Sequence, residues 1–495
     1  LLQILPFKSF CAKRAHESIS KAQQVKYIST RGEAPSLSFT DALIAGLAQD
    51  GGLYLPEAYP QLSKSEIAGF AGRPYAEVAE AVIAPFVGGA LDRKALRTAI
   101  DAAYAGFDHP AVTPLVEIGD NLFLLELFHG PTLAFKDLAM QLLGRLMRQV
   151  LAARGKRATI IGATSGDTGA AAIAALRDIA EVDLFILYPQ GRISEVQRRQ
   201  MTTVAADNVH VVAVDGTFDD AQALVKAFFA NKRLRDEFSL SGVNSINWAR
   251  VVAQAVYYFV SAVALGAPSR PVSFAVPTGN FGDVLAGWIA KKMGLPVERL
   301  VIATNANDIL VRALSSGRYE IGRVEATQSP SMDIQVSSNF ERLLFEAYQR
   351  DSATIRRLMA GLQQAGGFRI DSGPLTAIRA DFDAVRVGGA QTTGEIARVW
   401  REAQKLIDPH TAVGVGAARA GLAERPQVPM IVLGTAHPAK FPAAVEAATG
   451  IVPPLPPHLA DLFSRQERFD VVANDQVELV AYMRRQLAAS KRAAS

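Results

Sequence analysis

The chain has 495 residues, 49% hydrophobic and 20% charged, with a net charge of +4. That length allows two or three domains with large cores, and no basic block interleaved with aromatics gives a footprint for nucleic acid. The single cysteine, Cys11, excludes internal disulfides and multi-cysteine zinc sites, so a reducing compartment, the cytoplasm, is expected and no metal site is.

Residues 1–24 carry Lys8, Lys13, Arg14 and Lys21 against one acid, Glu17, together with Ser9, Ser18 and Ser20. This composition fits an organellar transit peptide or translated upstream sequence; the poor apolar face favours the second. Domain-like sequence begins at Val25-Lys26-Tyr27. A short strand and turn over 26–32 precede a helix opened by Ser38-Phe39-Thr40-Asp41. Further helical patterns at 64–72, 75–86 and 93–105 define a small N-terminal domain, 25–108. His109-Pro110 and Thr113-Pro114 mark its boundary, because a residue before proline is pushed out of the helical region.

From 109 to 455 strands and helices alternate. Short apolar runs read as buried strands at 122–128, 159–162, 184–188, 209–214, 273–276, 300–304 and 430–434. Helical stretches fall at 168–178, 194–205, 218–231, 251–265, 283–293, 307–315 and 438–448. Such alternation predicts βαβ units and parallel sheets buried on both faces, with strands enough for two lobes. The longest apolar run, 251–267, is shorter than the roughly 20 residues of a membrane span, so no membrane partner is expected. Residues 316–400 are polar and mixed and resist assignment. A C-terminal helical segment, 456–495, ends the chain.

Three loops carry chemistry. Phe128-His129-Gly130-Pro131-Thr132-Leu133-Ala134-Phe135-Lys136-Asp137 follows a strand; Thr132 can cap the helix that the pattern starts at Leu138. Lys136 sits at this junction among apolar neighbours. Lost hydration lowers a lysine pKa and frees its amine as a nucleophile, the requirement for a Schiff-base lysine. Taken alone, Lys136 also fits a solvated lysine on a helix face. Gly162-Ala163-Thr164-Ser165-Gly166-Asp167-Thr168-Gly169 and Pro277-Thr278-Gly279-Asn280-Phe281-Gly282-Asp283 are glycine-rich loops between strand and helix. Their N–H groups and helix N-termini suit anions. The first has neither dinucleotide nor Walker A spacing, and either loop alone fits an ordinary strand-to-helix turn. Asn244-Ser245-Ile246-Asn247-Trp248-Ala249-Arg250 and Gly434-Thr435-Ala436-His437-Pro438-Ala439-Lys440-Phe441 are polar where burial is expected. Thr435, at a strand's carboxyl end, is placed to meet a ligand; His437 fits a ligand-facing or an ordinary turn residue.

With Leu187-Tyr188-Pro189, Ile193-Ser194 and Ala303-Thr304-Asn305, these motifs stand in the order of a known family over roughly residues 25–450. The chain resembles threonine synthase of the bacterial and fungal branch, a pyridoxal-phosphate enzyme of the tryptophan-synthase-β class. The resemblance implies an α/β fold of two lobes, open parallel sheets wrapped by helices (fold type II), with a small N-terminal domain. It implies pyridoxal 5'-phosphate as cofactor, anchored by Lys136, the catalytic base. Gly279, Asn280, Phe281 and Gly282 would hold the cofactor phosphate, and Thr435 would lie at its ring nitrogen. Asp167 would lie on the ring-hydroxyl side, although many relatives in the class carry Asn there. Ser165 and Thr168 would face the substrate carboxylate; Asn244, Ser245 and Arg250 would hold the substrate phosphate. The implied reaction takes O-phospho-L-homoserine and water to L-threonine and phosphate. A serine or threonine dehydratase or a β-replacing synthase of the same class is the alternative, and from another class a non-catalytic phosphate- or nucleotide-binding protein. The sequence assigns no oligomeric state.

Overall fold

In the computed structural model, which describes residues 25–493, the apolar runs assemble into two main sheets. The expectations for residues 1–24 lie outside the described residues. The larger sheet has the order Phe382–Arg386, Val297–Thr304, Val272–Pro277, Met430–Gly434, Leu122–Glu126, Leu115–Gly119. All its neighbours pair in parallel except the last, where Leu115–Gly119 runs antiparallel to Leu122–Glu126. The smaller sheet is parallel throughout, in the order Asp470–Val472, Val209–Val214, Val182–Pro189, Ala158–Ala163, Leu240–Ser241. The architecture is α/β, two open sheets wrapped by helices. Every residue of Val272–Pro277, Met430–Gly434 and Val182–Pro189 is buried, which is why these strands read as continuous apolar runs.

The N-terminal residues form a helical layer with one two-stranded ribbon, Tyr27–Ser29 against Tyr54–Pro56. It packs directly on the helices behind the site. Tyr27, Phe86 and Tyr59 surround Trp248, the first residue of the helix Trp248–Ala264. The Tyr27 hydroxyl donates to the Phe86 carbonyl at 2.7 Å, and Tyr104 donates to the Leu138 carbonyl at 3.2 Å. Burying one such aromatic or aliphatic side chain is worth roughly 1.5–3 kcal/mol.

Several expectations are corrected. The antiparallel edge strand was unforeseen, because antiparallel neighbours joined by a tight turn leave no helix between them to mark them. Residues 438–448 are two pieces, a 3-10 turn Pro438–Lys440 and the helix Pro442–Thr449, since Pro442 starts the second. The helix Pro409–Glu424 is apolar nearly all round and buried along most of its length, so no amphipathic period announced it. Residues 316–400 hold helices, among them Phe340–Ala347 and Gly389–Ala403, and a long loop that reaches the site. The strand Asp470–Val472 joins the edge of the smaller sheet, and Leu479, Tyr482 and Met483 of the last helix pack in the same apolar cluster as Phe185 and Val212. Among the described residues no helix is long and apolar enough to cross a membrane.

The helices Lys136–Ala153 and Asp167–Leu176 meet at Gly144, where an added Cβ would lie 2.4 Å from the Ala175 carbonyl oxygen. Backbone cannot yield there as a flexible side chain would. Gly144→Ala should therefore destabilise the protein by about 1–3 kcal/mol in denaturant unfolding, despite alanine's higher helix propensity.

Candidate active site

The loops singled out in the sequence all leave the carboxyl ends of strands and converge between the two sheets. The Lys136 turn is stitched to the Thr435 loop by backbone bonds. Leu127 N–H donates to the Gly434 carbonyl (3.0 Å), Phe135 N–H to the Thr435 carbonyl (2.9 Å) and His437 N–H to the Leu133 carbonyl (3.0 Å). Thr132 is not the helix cap. The helix starts at Lys136, and Asp137 in its first turn accepts from Thr132 N–H at 2.8 Å and Thr132 Oγ1 at 2.7 Å. The capping thus runs backwards, from an acid inside the helix to the turn before it. Burial pushes the Asp137 carboxyl up to about 6, against the two Thr132 bonds.

Lys136 is 9% exposed, and its Nζ lies 3.3 Å from Asp167 Oδ2. Burial lowers its pKa, opposed by Asp167 and reinforced by the Lys440 charge. Asp167 in turn faces Lys440 Nζ at 3.0 Å, accepts from Gln197 Nε2 at 2.9 Å, and accepts from Ser331 Oγ at 3.3 Å. Burial alone would raise it, but Lys440 and Lys136 together hold it well below the usual carboxylate range. Lys440 is fully buried and also donates to the Thr132 carbonyl (2.7 Å) and Gln200 Oε1 (2.9 Å).

All the sequence-predicted site residues except Asp167 line one cavity of about 890 Å³. Asp167 lies behind Lys136. The remaining wall divides into two kinds of surface. Ser165 and Thr168 present hydroxyls, while Thr164 beside them is turned inward to accept from Gly166 and Gly169 N–H, both at 2.9 Å. Opposite, Gly279–Gly282 leads into the helix Gly282–Lys292. The N–H groups of Gly279, Asn280, Phe281 and Gly282 take no acceptor among the described residues. A Cβ at Gly279 would lie 3.0 Å from the Ser331 carbonyl oxygen, so only glycine lets the loop pass this close.

Arg250 is 4% exposed and has no carboxylate partner among the described residues. Among the described residues its guanidinium makes one bond, from Nη1 to the Val243 carbonyl at 3.3 Å, and its Nε is unpartnered. Burial pushes its pKa down to about 10. A buried cation left without an acid is expensive unless a ligand supplies the anion. Asn244 and Ser245 line the cavity on the same loop. Asn247 is structural: it caps the helix through Ala249 N–H and donates to the Leu43 carbonyl at 2.8 Å.

His437 is the turn residue of the two alternatives. Its Nδ1 accepts from Ala439 N–H at 3.1 Å, it packs on Phe128, and burial lowers it to about 4. Sequence reading missed His410, which lines the cavity with Nδ1 2.6 Å from Asp408 Oδ2 and Nε2 accepting from Ser331 N–H. The pattern Asp408-Pro409-His410, an N-cap acid before a helix-starting proline, was the available signal. Also missed were Gln197, Ser331 and the role of Lys440.

Family models match in three blocks: "Threonine synthase N terminus" over residues 26–104, "Pyridoxal-phosphate dependent enzyme" over 107–360, and "Threonine synthase, C-terminal" over 411–483. Threonine synthase of Pseudomonas aeruginosa is 52% identical, with 93% of this chain and 98% of that protein covered. That of Saccharomyces cerevisiae is 42% identical, covering 93% and 97%. Among solved structures, pyridoxal-phosphate-bound threonine synthase from Brucella melitensis superposes with a TM-score of 0.90 at 56% identity, covering 93% of this chain and 99% of the other.

The site also sets a pH dependence of stability. Burial pushes the Asp283 carboxyl up to about 7, against hydrogen bonds from the Tyr257 (2.5 Å) and Tyr258 (2.9 Å) hydroxyls to its Oδ1. A folded-state pKa raised above the ordinary 3.8 contributes stability that is complete below 3.8 and is lost as pH rises through about 7. Asp137 acts with the same sign up to about 6. Melting temperature should therefore fall more steeply between about pH 4 and about pH 7 in the wild type than in Asp283→Asn, measured by calorimetry.

Proposed function

The chain belongs to the threonine synthase family, and we propose that Lys136, the loops Gly279–Gly282 and Asn244–Arg250 and the Ser165 loop carry its pyridoxal-phosphate-dependent conversion of O-phospho-L-homoserine and water to L-threonine and phosphate. The observation that supports this assignment of roles most directly is Arg250: a buried guanidinium with no acid beside it, in the same cavity as a buried lysine.

The residues present fit the cofactor. Lys136 is a buried lysine with a lowered pKa, as an anchoring amine requires. Gly279, Asn280, Phe281 and Gly282 offer free N–H groups at the positive end of a helix, which suits the cofactor phosphate. Thr435, a neutral residue, suits the ring nitrogen, and Asp167 the ring-hydroxyl side next to Lys136. When bound, pyridoxal phosphate supplies the electron sink for the charge released at the substrate α carbon.

The protein's own contribution is to bind, orient and move protons. The Lys136 amine, unprotonated more readily because it is buried, removes the α proton and, once it has passed that proton on, removes a β proton. Ser165 and Thr168 hold the substrate carboxylate and fix which face the amine meets. Arg250, Asn244 and Ser245 hold the phosphate that leaves from the γ carbon, and Arg250 balances its charge as the bond breaks. After phosphate leaves, Lys136 returns one proton to the γ carbon, which becomes the methyl group; water adds its oxygen at the β carbon, and a second proton returned to the α carbon completes threonine. The chain is read as a small N-terminal domain 25–108, a two-lobed catalytic body 109–455 and a C-terminal segment 456–495, in the cytoplasm. The single cysteine suits that compartment.

Lys136→Ala should lower turnover by at least about 100-fold, the loss of one general base, and borohydride should no longer fix the cofactor to the chain. Labelling of another lysine would remove the assignment. A hydrogen bond to a charged group is worth about 1.5–3 kcal/mol, so Arg250→Ala should lower kcat/KM for phosphohomoserine at least about ten-fold. Inhibition by inorganic phosphate should weaken with it, while the cofactor absorbance stays unchanged. An Arg250→Ala protein that melts early yet keeps wild-type phosphate inhibition would make Arg250 a structural residue.

A further inference from the structure

Residues 337–342, which no sequence motif marks, grip both anion loops from behind. Ser337 Oγ donates to the Gly279 carbonyl at 2.6 Å. Asn339 donates twice to the Asn280 carbonyl, from its backbone N–H and from Nδ2, both at 3.0 Å. The same Nδ2 donates to the Ser245 carbonyl at 3.1 Å. One amide group thus bridges the loop of Gly279–Gly282 and the loop of Asn244–Arg250. The two loops are close enough that a Cβ at Gly282 would lie 3.4 Å from Asn339 Nδ2 and 3.7 Å from the Ser245 carbonyl oxygen. Asn339 is fully buried and is not on the cavity wall.

Asn339 is itself held. Its Oδ1 accepts from Arg342 Nη1. Arg342, 1% exposed, gives its other donors to the Tyr54 carbonyl (3.0 and 2.7 Å) and the Ile246 carbonyl (2.6 Å), with its guanidinium over the Trp248 ring. Five donors in a planar fork fix the side chain they pin, so Asn339 has one orientation available.

The consequence follows from peptide geometry. In a trans peptide the carbonyl and the next N–H point in opposite directions. With the Gly279, Asn280 and Ser245 carbonyls drawn toward 337–342, the N–H groups of Asn280, Phe281 and Ile246 are turned to the other side. All three residues line the cavity on that side.

We infer that Asn339 is a positioning residue that sets the two anion loops in one register, so that affinity for the cofactor phosphate and for the substrate phosphate depends on the same side chain. This rests on the phosphate assignments proposed above. It makes the two binding events share a support rather than act as separate sites.

The test uses the full-length holoenzyme and two probes: release of pyridoxal phosphate, followed by its visible absorbance at equilibrium dialysis, and the inhibition constant of inorganic phosphate. Asn339→Asp keeps the side-chain size but removes both Nδ2 donors. It should weaken cofactor retention and phosphate inhibition together, each at least about ten-fold, with the melting temperature within a few degrees of wild type. Ser337→Ala, which touches the Gly279 carbonyl alone, should weaken the cofactor only, and Arg250→Ala the phosphate only. If Asn339→Asp does not fold, Asn339→Ala is read by the same two constants. A change in one constant alone, or in neither, overturns the coupling while phosphate still inhibits the wild type. A wild type that ignores phosphate overturns the reading of the Arg250 loop and the coupling with it.

Discussion

A single buried carboxylate organises the centre of this molecule. Asp167 takes Lys136 and Ser331 on one oxygen and Lys440 and Gln197 on the other. These donors come from four segments far apart in the chain, and each must be in place for the charge to be tolerated. A buried ion costs several kcal/mol when left alone, so a half-formed cluster is worse than none. That asymmetry makes the cluster a register device: the Lys136 turn, the loop at Ser331 and the loop at Lys440 have one arrangement that satisfies it. It also gives Lys136 freedom. Lys440 partners Asp167 whether or not Lys136 carries a proton, so the amine can lose its proton without orphaning the acid.

The same economy of buried polar groups shapes the wall of the cavity. Carbonyl oxygens of both loops are consumed by residues 337–342, leaving N–H groups for the cavity. Arg250 is handled differently. Almost none of its hydrogen-bonding capacity is used by the protein, whereas the equally buried Arg342 spends its donors on Asn339 and backbone carbonyls. Two arginines with the same burial therefore have opposite meanings. One is a structural clamp, and the other is the guanidinium proposed above to hold the substrate phosphate. The N-terminal layer participates in this through Tyr54, whose carbonyl takes two of the Arg342 bonds, so it buttresses the site as well as covering the helices.

Much of this was legible in the sequence because the signals were local. Continuous apolar runs such as 182–189 and 272–277 announce strands buried on both faces, and the second leads straight into a glycine-rich loop. The order of those loops identified the family and pointed to Lys136 as the candidate anchor of its cofactor. Lys136 could be singled out from its apolar neighbours, because desolvation depends on what adjoins a residue as much as on what lies across from it.

What the sequence could not decide are relations between distant segments. Asp167 reads as a loop acid; that it faces two lysines 31 and 273 positions later or earlier is set by how the sheets stack, since no local pattern encodes which carboxylate meets which amine. Thr132 reads as a cap, yet Asp137 takes the capping role in reverse because burial leaves the turn's N–H no water to bond. The helix Pro409–Glu424 was silent because its first ten residues are all buried, leaving no polar face there to give it a period. Residues 316–400 had no motif because side chains such as Ser337, Asn339 and Arg342 act on backbone carbonyls of distant segments, and every residue carries a carbonyl. Local chemistry, then, was written in the chain; the pairing of buried charges and the direction in which peptide groups point were decided only when the elements packed, because both depend on what excludes water from the other side.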